Sequence, residues 1–121
     1  MASVFEATAG LAIGYTSGDS VTQATDKSTG VTINAAAGAI TMNAAALAAG
    51  AEVSFTVTND KVTASDVVVV NHASAGTAGA YLVQANTLAS GSFAITVSNV
   101  SGSSASEAIV LNFVVIKGAT S

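Results

Sequence analysis

The stretch of sequence that decides the fold runs from Glu52 to Asn59 and reads E-V-S-F-T-V-T-N. Its apolar residues, Val53, Phe55 and Val57, alternate with serine and threonine. This period-two pattern indicates a strand with one buried and one polar face. A second stretch, residues 92–99, reads S-F-A-I-T-V-S-N and alternates in the same way. Alternation over such short segments predicts an all-β domain.

Similar short apolar runs recur along the chain, separated by turn residues at intervals of roughly 8–14 residues. The Ala-rich segment 43–50 is too short for an isolated helix and is predicted to be a loop or a single helical turn. We expect one antiparallel, jelly-roll-like β-sandwich of about eight short strands. It would span residues 20–121, after an N-terminal segment or arm at residues 1–19. The predicted strands are residues 4–13, 20–25, 30–34, 39–43, 52–58, 66–72, 80–86, 92–99 and 107–117.

The last predicted strand is apolar on both faces, because residues 109–116 read I-V-L-N-F-V-V-I. A strand of this kind is normally covered on both sides. A sandwich of 121 residues has one core, so the second face needs cover from a partner or from a loop of the same chain. We predict that the face formed by Val110, Val114 and Ile116 contributes to a homo-oligomer, either a dimer or a trimer.

The aromatic residues are few and predict a core more than a binding platform. Phe55, Phe93 and Phe113 lie in phase with apolar neighbours on their strands, so we expect all three in the core. Carbohydrate-binding surfaces generally use exposed aromatic side chains, and this chain has no Trp. Tyr15 and Tyr81 are the remaining candidates for surface aromatics.

The charge content excludes several classes of function. Only 8% of the residues are charged, and seven acids against three bases give a net charge of −4. Binding to a phosphate backbone needs clustered Lys and Arg, so we expect no nucleic-acid partner. The chain has no Cys and one His, which leaves few ligands for a metal. Pro is absent and Lys scarce, so the sheet edges lack their usual protection, and this favours an assembled state.

We expect no targeting signal from the sequence. The first eleven residues contain Glu6 and no positively charged region, so they do not form a secretory signal. No block of about 20 strongly apolar residues is present, so we expect no membrane partner. The expectation is a protein made and assembled in a reducing cytoplasm.

The polar side chains of the types that carry chemistry are more simply explained by local structure. His72 has no nucleophile elbow near it in the sequence, so we expect a packed or locally hydrogen-bonded imidazole. Asn59, Asp60 and Asp66 carry oxygen ligands that Ca²⁺ uses, but their spacing fits turn chemistry better. Asp19 and Asp26 flank a short strand, and a paired-carboxylate site there stays open. Residues 76–79 read G-T-A-G and lack the phosphate-loop pattern. We therefore predict no catalytic residues, cofactor or metal, and no enzyme activity.

The chain resembles a family of small virion structural proteins of tailed bacteriophages and prophages. The resemblance spans residues 21–117 and is carried by a set of short strings. These are V-T-Q-A-T-D-K-S-T-G-V-T-I-N, G-A-I-T-M, E-V-S-F-T-V-T-N, D-V-V-V-V-N, G-T-A-G-A-Y, G-S-F-A-I-T-V-S-N-V and S-E-A-I-V-L-N-F-V-V-I-K. Small β-sandwich proteins of this family serve as capsid decoration (cement) proteins or as tail-fibre modules.

The resemblance implies a non-catalytic protein of the virion, made in the cytoplasm of a host bacterium. Its size favours a decoration protein that binds the outside of the assembled head and stabilises it by bridging capsomers. The partners would then be the major capsid protein and further copies of the chain. The alternative is a tail-fibre or baseplate module that binds host-surface polysaccharide.

Overall fold

The computed structural model describes residues 18–118, which form two packed β-sheets. The predicted strand at residues 4–13 and most of the predicted arm at residues 1–19 lie outside this range. The eight strands are β1 (Asp19–Thr22), β2 (Val31–Thr32), β3 (Ala37–Thr41), β4 (Glu52–Thr58), β5 (Val67–Ser74), β6 (Tyr81–Ala89), β7 (Ser92–Asn99) and β8 (Val110–Ile116).

Sheet A has the strand order β1-β3-β8-β5, and sheet B has the order β2-β4-β7-β6. The prediction of an all-β sandwich with about eight short strands is confirmed. The chain passes between the two sheets from strand to strand, with one hairpin within a sheet, from β6 to β7.

Two pairs at the sheet edges depart from the antiparallel pairing that we expected. β1 pairs with β3 in parallel, and β2 pairs with β4 in parallel. The physical reason is the path of the chain. Between β1 and β3 it forms a strand of the opposite sheet, and two successive reversals return it to its first direction. The other four strand pairs are antiparallel.

The core lies between the sheets and is built from the inward residues of the alternating strands. Phe55, Phe93 and Phe113 are all buried, as predicted. The rings of Phe93 on sheet B and Phe113 on sheet A pack together with centroids 5.7 Å apart, so they join the two sheets.

The Ala-rich segment 43–50 forms no helix and connects β3 to β4 as a loop. Leu47 is buried in this loop and forms an isolated antiparallel bridge with Ala105. The Asn43 side chain accepts a hydrogen bond from the backbone N–H of Ala45, 2.8 Å away. Gly50 then turns the chain toward β4 with a φ of 75°. The loop, rather than the helical turn, is the alternative that holds.

Candidate functional site

The interface candidates Val110, Val114 and Ile116 lie on the outer face of sheet A. On β8, Leu111, Phe113 and Val115 point into the core and are buried. The alternate residues, Val110, Val114 and Ile116, therefore point outward, and Ile116 is 49% exposed. The side of β8 that carries Leu111 therefore faces the core between the two sheets, and the opposite side is left outside it.

The neighbouring strands extend this apolar surface. On β5, Val67 lies opposite Ile116 and Val69 lies opposite Val114. Val67 is 54% exposed and Val69 is 49% exposed. On the other side of β8, Ala37 of β3 lies opposite Val114. We call this surface the sheet A face. It consists of Ala37, Ala39, Val67, Val69, Val110, Val114 and Ile116, with Thr41, Asn71 and Asn112 beside them.

The sheet A face carries no charge, since none of its members on β3, β5 and β8 is ionisable. The outer face of sheet B is different, because its exposed positions on β4 are Glu52, Ser54, Thr56 and Thr58. The hydroxyls of Ser54 and Thr96 share a hydrogen bond of 2.7 Å across that face. Apart from the exposed Leu82 on β6, sheet B therefore presents a mainly polar surface, whereas sheet A presents a continuous apolar one that gains by burial.

A polar cleft lies at one end of the sandwich, between the loop after β5 and the loop after β7. Its volume is about 450 Å³, and its lining is rich in hydroxyl groups, which belong to Thr77, Ser101, Ser103, Ser104 and Ser106. Glu107 stands at its wall and accepts hydrogen bonds from the Tyr81 hydroxyl at 2.6 Å and the Thr77 hydroxyl at 2.9 Å. The Tyr81 and Thr77 hydrogen bonds hold the pKa of Glu107 below its usual value.

Tyr81 is buried, so its prediction as a surface aromatic is wrong. Tyr81 is the first residue of β6, and its side chain points inward, as do those of Val83 and Ala85. Its hydroxyl donates a hydrogen bond to the Glu107 carboxylate. Burial, with the bond to Glu107, raises the pKa of Tyr81 to about 12. Tyr15 lies outside the described residues.

His72 packs locally, as expected from its place near the end of β5. Its ring contacts Tyr81 edge-on with centroids 5.6 Å apart, and its Nε2 donates a hydrogen bond to the carbonyl of Ala75 at 2.6 Å. The G-T-A-G segment uses its Thr77 backbone N–H to bind the Glu107 carboxylate. The arrangement fixes the loop between β5 and β6 to the segment before β8.

The predicted turn chemistry of Asn59 and Asp66 is confirmed. Asn59 accepts a hydrogen bond from the backbone N–H of Lys61, and Asp66 accepts one from that of Thr63, both at 2.8 Å. Asp66 also pairs with Lys117 at 2.6 Å, and its own side chain is almost completely buried. The Lys117 ammonium holds the pKa of Asp66 well below its usual range.

Asp19, at the start of β1, and Asp26, in the loop after β1, each accept hydrogen bonds from residues close in sequence. Asp19 accepts a hydrogen bond from the backbone N–H of Ser20, and Asp26 accepts bonds from the hydroxyl and backbone N–H of Ser28. The Ser28 hydroxyl is the main cause of a lowered pKa at Asp26. Among residues 18–118, no group of three His, Asp or Glu side chains is placed to hold a metal ion.

Two buried polar residues that the sequence did not indicate fix the same end of the sandwich as Glu107. The Lys27 ammonium donates to the backbone carbonyls of Glu107, at 2.7 Å, and of Asn43. Gln23 donates to the carbonyls of Lys27 and Thr29 at 2.9 and 3.0 Å. Burial lowers the pKa of Lys27, and the negative charge of Glu107 partly opposes this. These contacts tie the loop after β1 to the segment before β8.

Acid should unfold the protein partly through Asp66. Because its folded-state pKa lies below the ordinary 3.8, its stabilising effect is present above that pH and is lost as the pH falls further. Asp66→Asn should therefore be less stable than the parent near neutrality, and should lose less stability between about pH 6 and pH 3. Urea unfolding at several pH values measures this, with the exposed Asp60→Asn as a control. Parallel pH profiles for Asp66→Asn and the parent would contradict it.

The described part of the chain contains no helix long and apolar enough to cross a membrane. Comparisons with protein-family models, curated proteins and solved structures found no match to this chain.

Proposed function

We propose that this chain is a non-catalytic structural protein of a tailed-phage virion, a capsid decoration protein that stabilises the assembled head from outside. The observation that carries the proposal is the charge-free sheet A face, with Val67, Val69 and Ile116 each about half exposed. Contiguous apolar surface of this kind on a small domain marks a contact with another macromolecule. The resemblance described above supplies the class of partner, which is the major capsid protein.

The protein would stabilise the shell through the thermodynamic linkage between its binding and shell assembly. A protein that binds the assembled shell, and not its dispersed subunits, shifts the equilibrium toward the assembled state. The sheet A face offers apolar burial and no ion pairs, so attachment should depend little on salt. Residues 1–19 would serve as an arm that reaches a neighbouring capsomer.

One observation favours the alternative of a tail-fibre or baseplate module. The cleft beside Glu107 is lined by hydroxyl groups from Thr77, Ser101, Ser103, Ser104 and Ser106, and hydroxyls can exchange hydrogen bonds with a polysaccharide. Against it, the cleft offers no exposed aromatic ring, and the two oxygens of Glu107 already accept bonds from Thr77 and Tyr81.

Reconstitution on phage heads that lack this protein tests the proposal. Purified full-length chain should bind these heads both at low ionic strength and in about 1 M salt. It should also raise the temperature at which the heads release their DNA. A chain without its first 19 residues should bind more weakly. If the full-length chain fails to bind heads but binds tails or host polysaccharide, the fibre-module alternative replaces this proposal.

A further inference from the structure

β5 is an edge strand of sheet A, and β6 of sheet B packs beside its C-terminal end, where His72 contacts Tyr81. β5 pairs with β8 on one side, and among residues 18–118 no strand pairs with its other side. Its sequence, V-V-V-V-N-H-A-S, contains no Lys, no Pro and no acid, the residues that natural proteins place on edges to prevent pairing. A bulge between His72 and Ser74 interrupts the strand, so the regular part is residues 67–72.

The other edges of the two sheets are less suited to pairing. β1 has four residues and begins with Asp19, and β2 has two residues. β6 is long and exposes Leu82, but its other outward side chains are the polar Gln84 and Asn86, and a bulge follows Asn86. Among the edge strands of residues 18–118, β5 alone combines a regular unpaired edge with outward valines, because Val67 and Val69 are each about half exposed.

We propose that β5 pairs antiparallel with β5 of a second copy of this chain, joining two sheets A into one continuous eight-stranded sheet. The geometry fixes the register. A two-fold axis perpendicular to the sheet keeps both sheet A faces on one side, so two residues that pair directly must lie on the same face. Because faces alternate along a strand, the axis must lie at the level of one residue, which then pairs with itself in the second copy. Centred on Val69, the pairing uses residues 67–71 and avoids the bulge.

Charge supports a second copy as the occupant. Each chain has a net charge of −4, so contacts between copies are disfavoured wherever acids meet. The paired segment, Val67–Asn71, contains no ionisable group. The proposed register sets Asp66 opposite His72 of the second copy, so the nearest acids of the two chains do not face each other. Val69 meets Val69 of the second copy, and Val67 meets Asn71, on the outer side of the joined sheet.

The dimer would double the surface offered to a shell. Val67 and Val69 of the two copies would lie side by side at the seam, with Val114 and Ile116 of each copy one strand further out. The two sheet A faces would become one apolar surface. This last consequence rests on the proposed function, whereas the dimer itself does not.

Sedimentation of the purified full-length chain, without heads, tests the pairing. The parent should be a dimer at about 100 µM chain. Val69→Lys puts two like charges opposite each other at the seam and should weaken the dimer at least about 100-fold. Val69→Glu should do the same, and an equimolar mixture of the two variants should form a heterodimer. Thr56→Lys, on the outer face of sheet B, should leave the dimer unchanged.

Two further variants distinguish pairing between two β5 strands from face-to-face packing and from pairing with residues 1–17. Ala39→Lys lies in the middle of the sheet A face and should leave an edge-paired dimer intact. A monomeric Ala39→Lys would show that copies pack face to face, as predicted above from the sequence for the face of Val110, Val114 and Ile116, and would overturn the proposal. A chain lacking residues 1–17 should remain a dimer, and its dissociation would assign the edge to that segment instead.

A monomeric or trimeric parent, or a dimeric Val69→Lys, would also overturn the proposal of a β5-paired dimer. A monomer that still binds heads contradicts only this inference, and a dimer that does not bind heads contradicts only the proposed function.

Discussion

Replacing Phe93 with alanine should lower the free energy of unfolding by about 3–5 kcal/mol. Phe93 is 1% exposed, lies opposite Val57 in sheet B, and packs its ring on Phe113 of sheet A. The substitution removes the transfer free energy of the ring and leaves a cavity between the sheets. Domains of this size are stable by only about 5–15 kcal/mol, so the variant should lose a large part of its stability.

Urea unfolding at neutral pH measures this loss. The matched control is Leu82→Ala, which truncates a side chain that is 64% exposed on β6. The control should change the free energy of unfolding by less than about 0.5 kcal/mol. Equal midpoints for Phe93→Ala and the parent would mean that the strand does not place Phe93 in the core.

The strands with clean alternation could be predicted almost to the residue. β4 and β7 have the bounds that the sequence predicts, because each carries apolar residues on one face and mainly Ser or Thr on the other. The doubly apolar β8 also predicted that one of its faces would remain outside the core. β2 is shorter than the predicted 30–34, although Ile33 beyond it is still buried.

The direction of strand pairing could not be predicted, since alternation within a strand carries no information about its neighbour. The parallel pairs β1–β3 and β2–β4 follow from the path of the chain between sheets. Burial of Tyr81 had a usable signal, because it lies in phase with Val83 and Ala85. Its partner Glu107 is distant in sequence, and no local pattern connects the two.

Buried polar residues are the other features that the sequence concealed. Lys27 and Gln23 belong to residue types that usually lie at the surface. They are buried here because backbone carbonyls accept their hydrogen bonds. Gln23 donates within its own loop, and Lys27 donates to the loop after β3 and to the segment before β8. Asn59 and Asn99 end two similar stretches, T-V-T-N and T-V-S-N, and both are fully buried. Each holds the loop that follows its strand, so this echo in the sequence has a structural cause.

Introducing a lysine at Val114 should reduce binding to phage heads at least about 100-fold. Val114 is central in the sheet A face, between Val69 on β5 and Ala37 on β3. In the free protein the aliphatic part of the lysine can lie along this face with its ammonium in water, so the fold should persist. On the shell the same ammonium would be buried against an apolar contact without a partner.

Co-sedimentation of Val114→Lys with heads that lack this protein is the most direct test of the sheet A face as the attachment surface. The control is Thr56→Lys, which makes the same change in net charge on the exposed outer face of sheet B. Thermal melts first establish that both variants are folded. We expect Thr56→Lys to saturate the heads like the parent, and Val114→Lys to remain in the supernatant at the same concentration. Saturation of the heads by Val114→Lys, or an equal loss of binding in both variants, would contradict the account.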